Sequence, residues 1–152
     1  MTEAIRFFLD GEEVEARPGE TIWQVANRRG TEIPHLCYSP APGYRPDGNC
    51  RACMVEVEGE RVLAASCIRK PQNGMKVNTA SESAKSARKL VFELLVGDQP
   101  DRREAHDPDA KFWQWADKLD VTDSRFPGAD AAPEKDFSHP AMAVQLDACI
   151  QC

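Results

Sequence analysis

The chain has 152 residues, 41% of them apolar and 29% charged, the balance of a folded soluble domain of ordinary size with an extension. Its formal charge of -6 repels phosphate and argues against nucleic acid as a partner. No apolar run approaches the roughly 20 residues of a membrane span, and the opening Met-Thr-Glu-Ala-Ile-Arg lacks the basic-then-apolar layout of a secretory signal, so a reducing, cytoplasmic location is expected.

The first predicted element is a hairpin. Ile5, Phe7 and Leu9 alternate with Arg6 and Phe8, and Asp10-Gly11 turns the chain into a returning strand with Val14 and Ala16; Asp-Gly between alternating runs specifies a type I′ turn. A short helix follows, with Ile22, Val25 and Ala26 on one face and Gly30 as its stop. From Ile33 to Asn49 the chain is irregular, because Pro40, Pro42 and Pro46 exclude regular structure. Strands are predicted at Met54 to Val57, Arg61 to Ala65 and Met75 to Asn78, the first two joined by a turn at Glu58-Gly59. The strongest helix comes next. Thr79 and Glu82 stand in capping-box spacing, Ala84, Ala87, Val91, Leu94 and Leu95 form the apolar face, and Gly97 ends it. These pieces define an α+β fold for residues 1–97, a small mixed sheet with a helix across it in the β-grasp manner.

Residues 98–145 read as a mostly helical or irregular extension. Asp107-Pro108 is the predicted start of a helix whose Phe112, Trp115, Ala116 and Leu119 recur at helical spacing. That aromatic face must bury against the preceding residues or a partner. Val121 to His139 is a connector, punctuated by Pro127-Gly128 and Pro133. Residues 146–152 end in Cys149-Ile150-Gln151-Cys152, which looks like the start of the C-x2-C-x2-C-x3-C run that binds a 4Fe-4S cluster. Half a motif cannot hold a cubane, so a 4Fe-4S cluster is expected only if the polypeptide continues beyond Cys152.

The chemistry is concentrated in Cys37, Cys50, Cys53 and Cys67, spaced C-x12-C-x2-C-x13-C, with the close pair in a loop containing Gly43, Pro46, Gly48 and Asn49. A 2Fe-2S centre needs four thiolates converging on a small volume, and a tight pair plus one ligand from each flanking segment supplies them. Zinc is the competing metal, although its structural sites usually pair two short knuckles and this quartet has one. A redox dithiol at Cys50 and Cys53 would be expected to lead into a helix, whereas a strand pattern follows. Disulfides are an unneeded staple for a chain of this size. Neither a Gly-x-Gly-x-x-Gly nor a Walker lysine pattern accompanies the cysteines, so no nucleotide site is expected here.

The segment Ile33-Pro34-His35-Leu36-Cys37-Tyr38, the run from Gly48-Asn49-Cys50-Arg51-Ala52-Cys53 to Glu58-Gly59, then Ala64-Ala65-Ser66-Cys67 and Gly74-Met75-Lys76-Val77, resemble the N-terminal 2Fe-2S domain of the complex I large iron-sulfur subunit. The same module occurs in NAD-reducing hydrogenases and in the α subunit of NAD-dependent formate dehydrogenases. The resemblance implies Cys37, Cys50, Cys53 and Cys67 as cluster ligands. Where the complex I pattern continues into a histidine and three cysteines for a 4Fe-4S cluster, this chain reads Asp98-Gln99-Pro100-Asp101-Arg102-Arg103-Glu104-Ala105-His106, and that second site is unsupported, with His106 an ordinary surface residue. The tryptophan-bearing helix, Ser138-His139-Pro140-Ala141-Met142 and Leu146-Asp147-Ala148-Cys149-Ile150-Gln151-Cys152 resemble the formate dehydrogenase α subunit most. The implied function is an electron-transfer module without a catalytic site of its own, working with other iron-sulfur or flavin subunits of an NAD-linked oxidoreductase. A zinc-bound docking module and a stand-alone ferredoxin are the alternatives.

A 2Fe-2S centre with four thiolates is anionic, and burying it requires facing dipoles or cations. Backbone N–H groups of Gly48, Asn49, Arg51 and Ala52 are the expected dipoles. Arg45, Arg51 and His35 are the expected cations.

Overall fold

A computed structural model describes residues 4–128 and 133–150; Cys152 and the first three residues lie outside them. By backbone contacts the chain divides into two compact units, Met1–Arg88 and Lys89–Cys152.

The first unit is built on a five-stranded mixed sheet. Strands β1 (Ile5–Leu9) and β2 (Glu12–Ala16) form the opening hairpin, and Asp10 and Gly11 sit at φ 52° and 87°, the two left-handed positions that a type I′ turn demands. Helix α1 (Ile22–Arg28) follows. Thr21 and Gln24 form a full capping box at its start, the Thr21 hydroxyl accepting from the Gln24 N–H and the Gln24 side chain accepting from the Thr21 N–H. After the long irregular stretch come β3 (Met54–Val57), β4 (Ala64–Ala65) and β5 (Lys76–Asn78), giving the order β2-β1-β5-β3-β4.

Pairing of β1 with β5 is parallel and all the others are antiparallel. This is the α+β arrangement expected from the sequence. Alternation along the strands puts Phe7, Leu9, Val14, Ala16, Val55, Val57 and Val77 into the core with Ile22, Trp23, Val25 and Ala26 of α1.

Three local expectations are corrected. The strand predicted at Arg61 to Ala65 is reduced to Ala64–Ala65, because only Met54 and Val55 of β3 pair on that edge; Arg61 and Val62 are left exposed. Helix α2 (Glu82–Gly97) does end at Gly97, yet its start is capped by Ser81, whose Oγ accepts from the Ala84 N–H. Thr79 is engaged elsewhere: its N–H and hydroxyl donate to the two carboxylate oxygens of Asp10, at 2.6 and 2.7 Å. The buried line of α2 is Ala84, Arg88 and Phe92, whereas Leu94 is 48% exposed.

In the second unit, helix α3 (Lys111–Lys118) begins three residues beyond the predicted Asp107-Pro108 start. Asp107 makes a turn instead, its side chain accepting from the Asp109 N–H and its carbonyl from the Ala110 N–H. The buried aromatic beside Phe112 is Trp113 and not Trp115, since the helix must present Phe112 to Phe92, with which it stacks at 5.7 Å. Among the described residues, no helix is long and apolar enough to cross a membrane.

The Asp10 carboxylate ties the hairpin turn to the entry of α2, and charge-assisted bonds of this kind are worth about 1.5–3 kcal/mol. Thr79→Val removes one of the two and should lower the unfolding free energy by roughly that amount in urea titrations. Asp10→Ala should cost more, because it also orphans the Thr79 N–H and forces a side chain other than Asp or Asn to hold a left-handed φ.

Candidate iron-sulfur centre

Three segments carry the four cysteines. Cys37 lies at the end of Ile33 to Tyr38, a stretch held against α1 by aromatic contacts and hydrogen bonds. The Trp23 indole N–H donates to the Ile33 carbonyl at 3.1 Å, its ring meets His35 and Tyr38 edge-on at 4.6 and 5.1 Å, and the Gln24 amide donates to the Tyr38 hydroxyl. Two adjacent residues of one helix therefore orient the whole approach to Cys37.

Cys67 lies in a turn after β4, closed by bonds from the Ile68 and Arg69 N–H groups to the Ala65 carbonyl. The N-terminus of α1 grips this turn. Its otherwise unpaired N–H groups at Ile22 and Trp23 donate to the carbonyls of Arg69 and Ser66, at 2.8 and 3.0 Å. Ser66 in turn donates from both backbone and hydroxyl to the Cys53 carbonyl, at 3.1 and 2.7 Å. The Cys67 turn is thereby locked onto the residue that ends the central loop.

In that loop, Gly48 and Arg51 adopt φ 70° and 58°, so the backbone reverses on either side of Cys50. A Cβ at Gly48 would lie 2.8 Å from the Ile68 Cδ1, which shows how closely the loop approaches the Cys67 turn.

The sulfurs are arranged as two pairs. Cys37 donates its backbone N–H to the Cys50 sulfur at 3.5 Å, and the two side chains also interact. Cys53 and Cys67 form the second pair, both 1% exposed, with the Cys67 thiol as donor. That bond draws the Cys53 thiol down to about 6 against the opposing effect of burial, helped by the Cys67 N–H and the Ser66 hydroxyl. It holds the Cys67 proton on, as do burial and the charges of Cys53, Cys37 and Cys50. The second pair gives up its first proton readily and its second with difficulty. The Cys50 thiol is raised, chiefly by burial, although N–H groups of Cys37, Ala52 and Leu36 face it.

Among the described residues, no three His, Cys, Asp or Glu side chains are gathered as a site for a metal ion. What the cysteines present is two dithiols whose charges act on one another.

Of the donors expected from the sequence, Ala52 does face a sulfur, but the others come from Leu36, Cys37, Cys67 and Cys53 itself. The expected cations are placed differently too. Arg45 is 89% exposed and paired with Asp47, Arg51 is exposed, and His35 lies against Trp23 with Nδ1 at 3.2 Å from the Ile33 carbonyl. The buried cation is Arg88 of α2, whose Nε donates to the Met54 carbonyl at 2.8 Å. Sequence reasoning missed it, although Arg88 does fall four residues from both Ala84 and Phe92 on the same helical face. Cys149 is exposed, His106 is exposed, and Cys152 lies outside the described residues.

Residues 2–82 match the family described as the 2Fe-2S iron-sulfur cluster binding domain, and the chain belongs to that family. It is similar to the G subunit of NADH-quinone oxidoreductase from Rickettsia typhi (strain ATCC VR-144 / Wilmington), 29% identical over 97% of this chain and 22% of that protein. The corresponding protein of Rickettsia bellii (strain RML369-C) is 30% identical with the same coverage. Among solved structures, NAD+-reducing [NiFe]-hydrogenase in the H2-reduced state superposes with a TM-score of 0.84 at 31% identity, over 97% of this chain and 62% of that one. The chain thus spans about a fifth of the length of the curated relatives it matches.

Gly48→Ala tests the close approach of loop and turn. The end of Ile68 can swing away, as it is 45% exposed, but the left-handed backbone cannot be relieved and should cost about 1–2 kcal/mol. The expected outcome is a lower urea midpoint that Ile68→Ala in the same chain restores only in part.

Proposed function

We propose that this chain is a one-electron relay, with Cys37, Cys50, Cys53 and Cys67 as the ligands of its 2Fe-2S cluster. The observation that carries the assignment is the pairing of the thiols, Cys37 with Cys50 and Cys53 with Cys67. A two-iron core takes two thiolates on each iron, and two adjacent dithiols fit that demand better than they fit one tetrahedral zinc ion. The donor set fits as well, being all sulfur, with backbone N–H groups facing Cys50 and Cys53.

When bound, the cluster supplies reversible one-electron chemistry. The chain's own residues do the rest. Trp23 and Ser66 fix the segments that carry Cys37 and Cys67, and burial of Cys53 and Cys67 keeps water from two of the four sulfurs. We read the sheet order β2-β1-β5-β3-β4 around α1 as a β-grasp.

We further infer that the relay serves a multi-subunit, NAD-linked oxidoreductase in the cytoplasm, with other iron-sulfur or flavin subunits as partners. The likeness to the NADH-quinone oxidoreductase proteins and to the NAD+-reducing hydrogenase supports this reading. Within that group we assign it to the formate dehydrogenase α subunit. The support is the sequence: Asp98 to His106 supplies no cysteines, and Leu146 to Cys152 opens a C-x2-C run. On this reading residues 1–97 are the cluster domain and 98–145 the extension, and Cys149 and Cys152 would be partial ligands of a 4Fe-4S cluster only if the polypeptide continues beyond Cys152.

Anaerobically purified protein should be reddish-brown, with about two irons and two acid-labile sulfides per chain and an EPR signal on reduction. Cys53→Ser should lose most of that iron and sulfide together with the visible spectrum. A colourless chain with one zinc would assign the docking alternative instead, and an unchanged spectrum in Cys53→Ser would remove Cys53 from the ligand set.

A further inference from the structure

We propose that Arg88 is the buried counter-charge of the 2Fe-2S centre, holding its reduction equilibrium toward the reduced form. The inference rests on the proposed ligation by Cys37, Cys50, Cys53 and Cys67, and it assigns a role to a residue outside that set.

Arg88 is 6% exposed and is the one charged side chain among the buried described residues. Its position is fixed: Nε donates to the carbonyl of Met54, the residue that follows Cys53 at the start of β3. One terminal nitrogen, Nη2, is buried with no hydrogen-bond partner. A guanidinium seldom stays in that condition, because a buried charge is costly unless an opposite charge offsets it. Two groups of opposite sign act on Arg88, the Cys53 sulfur first and the Asp10 carboxylate second. Asp10 has both oxygens committed to Thr79. The remaining charge for Arg88 to balance lies at the cysteines.

A cluster with four thiolates carries net negative charge and gains one more unit on reduction. Uptake of one electron changes no bond and moves no proton at Arg88, so the guanidinium acts purely as a fixed field. Its burial matters for the size of that field. Charges inside the protein are screened far less than exposed ones, which separates Arg88 from Arg45, 89% exposed and paired with Asp47. A positive charge next to the centre favours the more negative, reduced state. The guanidinium is therefore a positioning residue that sets a potential, and the bond to the Met54 carbonyl is what aims it.

The test is a mediator-based redox titration, followed optically and by EPR, of the anaerobically purified full chain and three variants. Arg88→Gln keeps a donor but loses the charge, and should shift the equilibrium at least tenfold toward the oxidised form, which for a one-electron couple is a potential about 59 mV lower. Arg88→Lys keeps the charge and should stay within threefold of wild type, as should Arg45→Gln. Assembly of the cluster in Arg88→Lys but not in Arg88→Gln would also support the assignment, since the charge alone distinguishes them. An Arg88→Gln equilibrium within threefold of wild type would overturn it. So would an equal shift in Arg45→Gln or in Arg88→Lys, and so would loss of the cluster from both Arg88 variants, which would mark a structural clamp indifferent to charge. Failure of the functional reading is separable, because wild-type protein would then contain no iron and sulfide before any variant is compared.

Discussion

The N-terminus of α1 is the element on which the centre depends. A helix leaves its first N–H groups without partners inside the helix, and here those of Ile22 and Trp23 are satisfied by the carbonyls of Arg69 and Ser66. The same bonds that complete the helix fix the turn carrying Cys67. Within the same turn of helix, Gln24 reaches Tyr38, and Trp23 reaches Ile33, His35 and Tyr38. A seven-residue helix thus positions two cysteine segments that are 30 residues apart in sequence. This also explains why its cap is a full box: fraying of the first turn would release both segments together.

Charge is the second constraint. Sulfurs buried to 1% exposure at Cys53 and Cys67 can carry negative charge only where polar groups are already aimed at them. The Cys67 N–H and the Ser66 hydroxyl supply such dipoles to Cys53, N–H groups of Leu36, Cys37 and Ala52 do the same for the half-buried Cys50, and the guanidinium of Arg88 is held at the start of β3 by a backbone carbonyl. These groups are held by backbone hydrogen bonds of the fold, and dipoles fixed in that way need little reorganisation when charge at the sulfurs changes. The pairing of thiols follows from the same geometry, because each pair joins the central loop to one flanking segment.

The second unit has its own logic. Phe92 of α2 stacks on Phe112, Phe112 meets Trp113 edge-on, and Arg102 lies 5.6 Å from the Trp113 ring centroid while its side chain bonds Asp117 and the Pro108 carbonyl. An aromatic cluster roofed by a guanidinium gives this small unit a core despite its wealth of Asp, Pro and Ala.

Elements with a local cause were legible in the residues alone. Asp10-Gly11 read as a hairpin turn and is one, the alternation of Ile5 to Leu9 put Phe7 and Leu9 inside, and the cysteine spacing pointed to the 2Fe-2S family that residues 2–82 match. Features that depend on competition between distant groups were set only when the chain folded. Thr79 is a plausible helix cap until Asp10, 69 residues away, takes both of its donors, and Ser81 then caps the helix in its place. Trp113 and not Trp115 is buried because Phe92 fixes the rotation of α3. Arg88 was invisible as a buried cation for the same reason: a charged residue on a helix reads as solvent-facing until the Met54 carbonyl at the start of β3 is seen to accept its Nε–H.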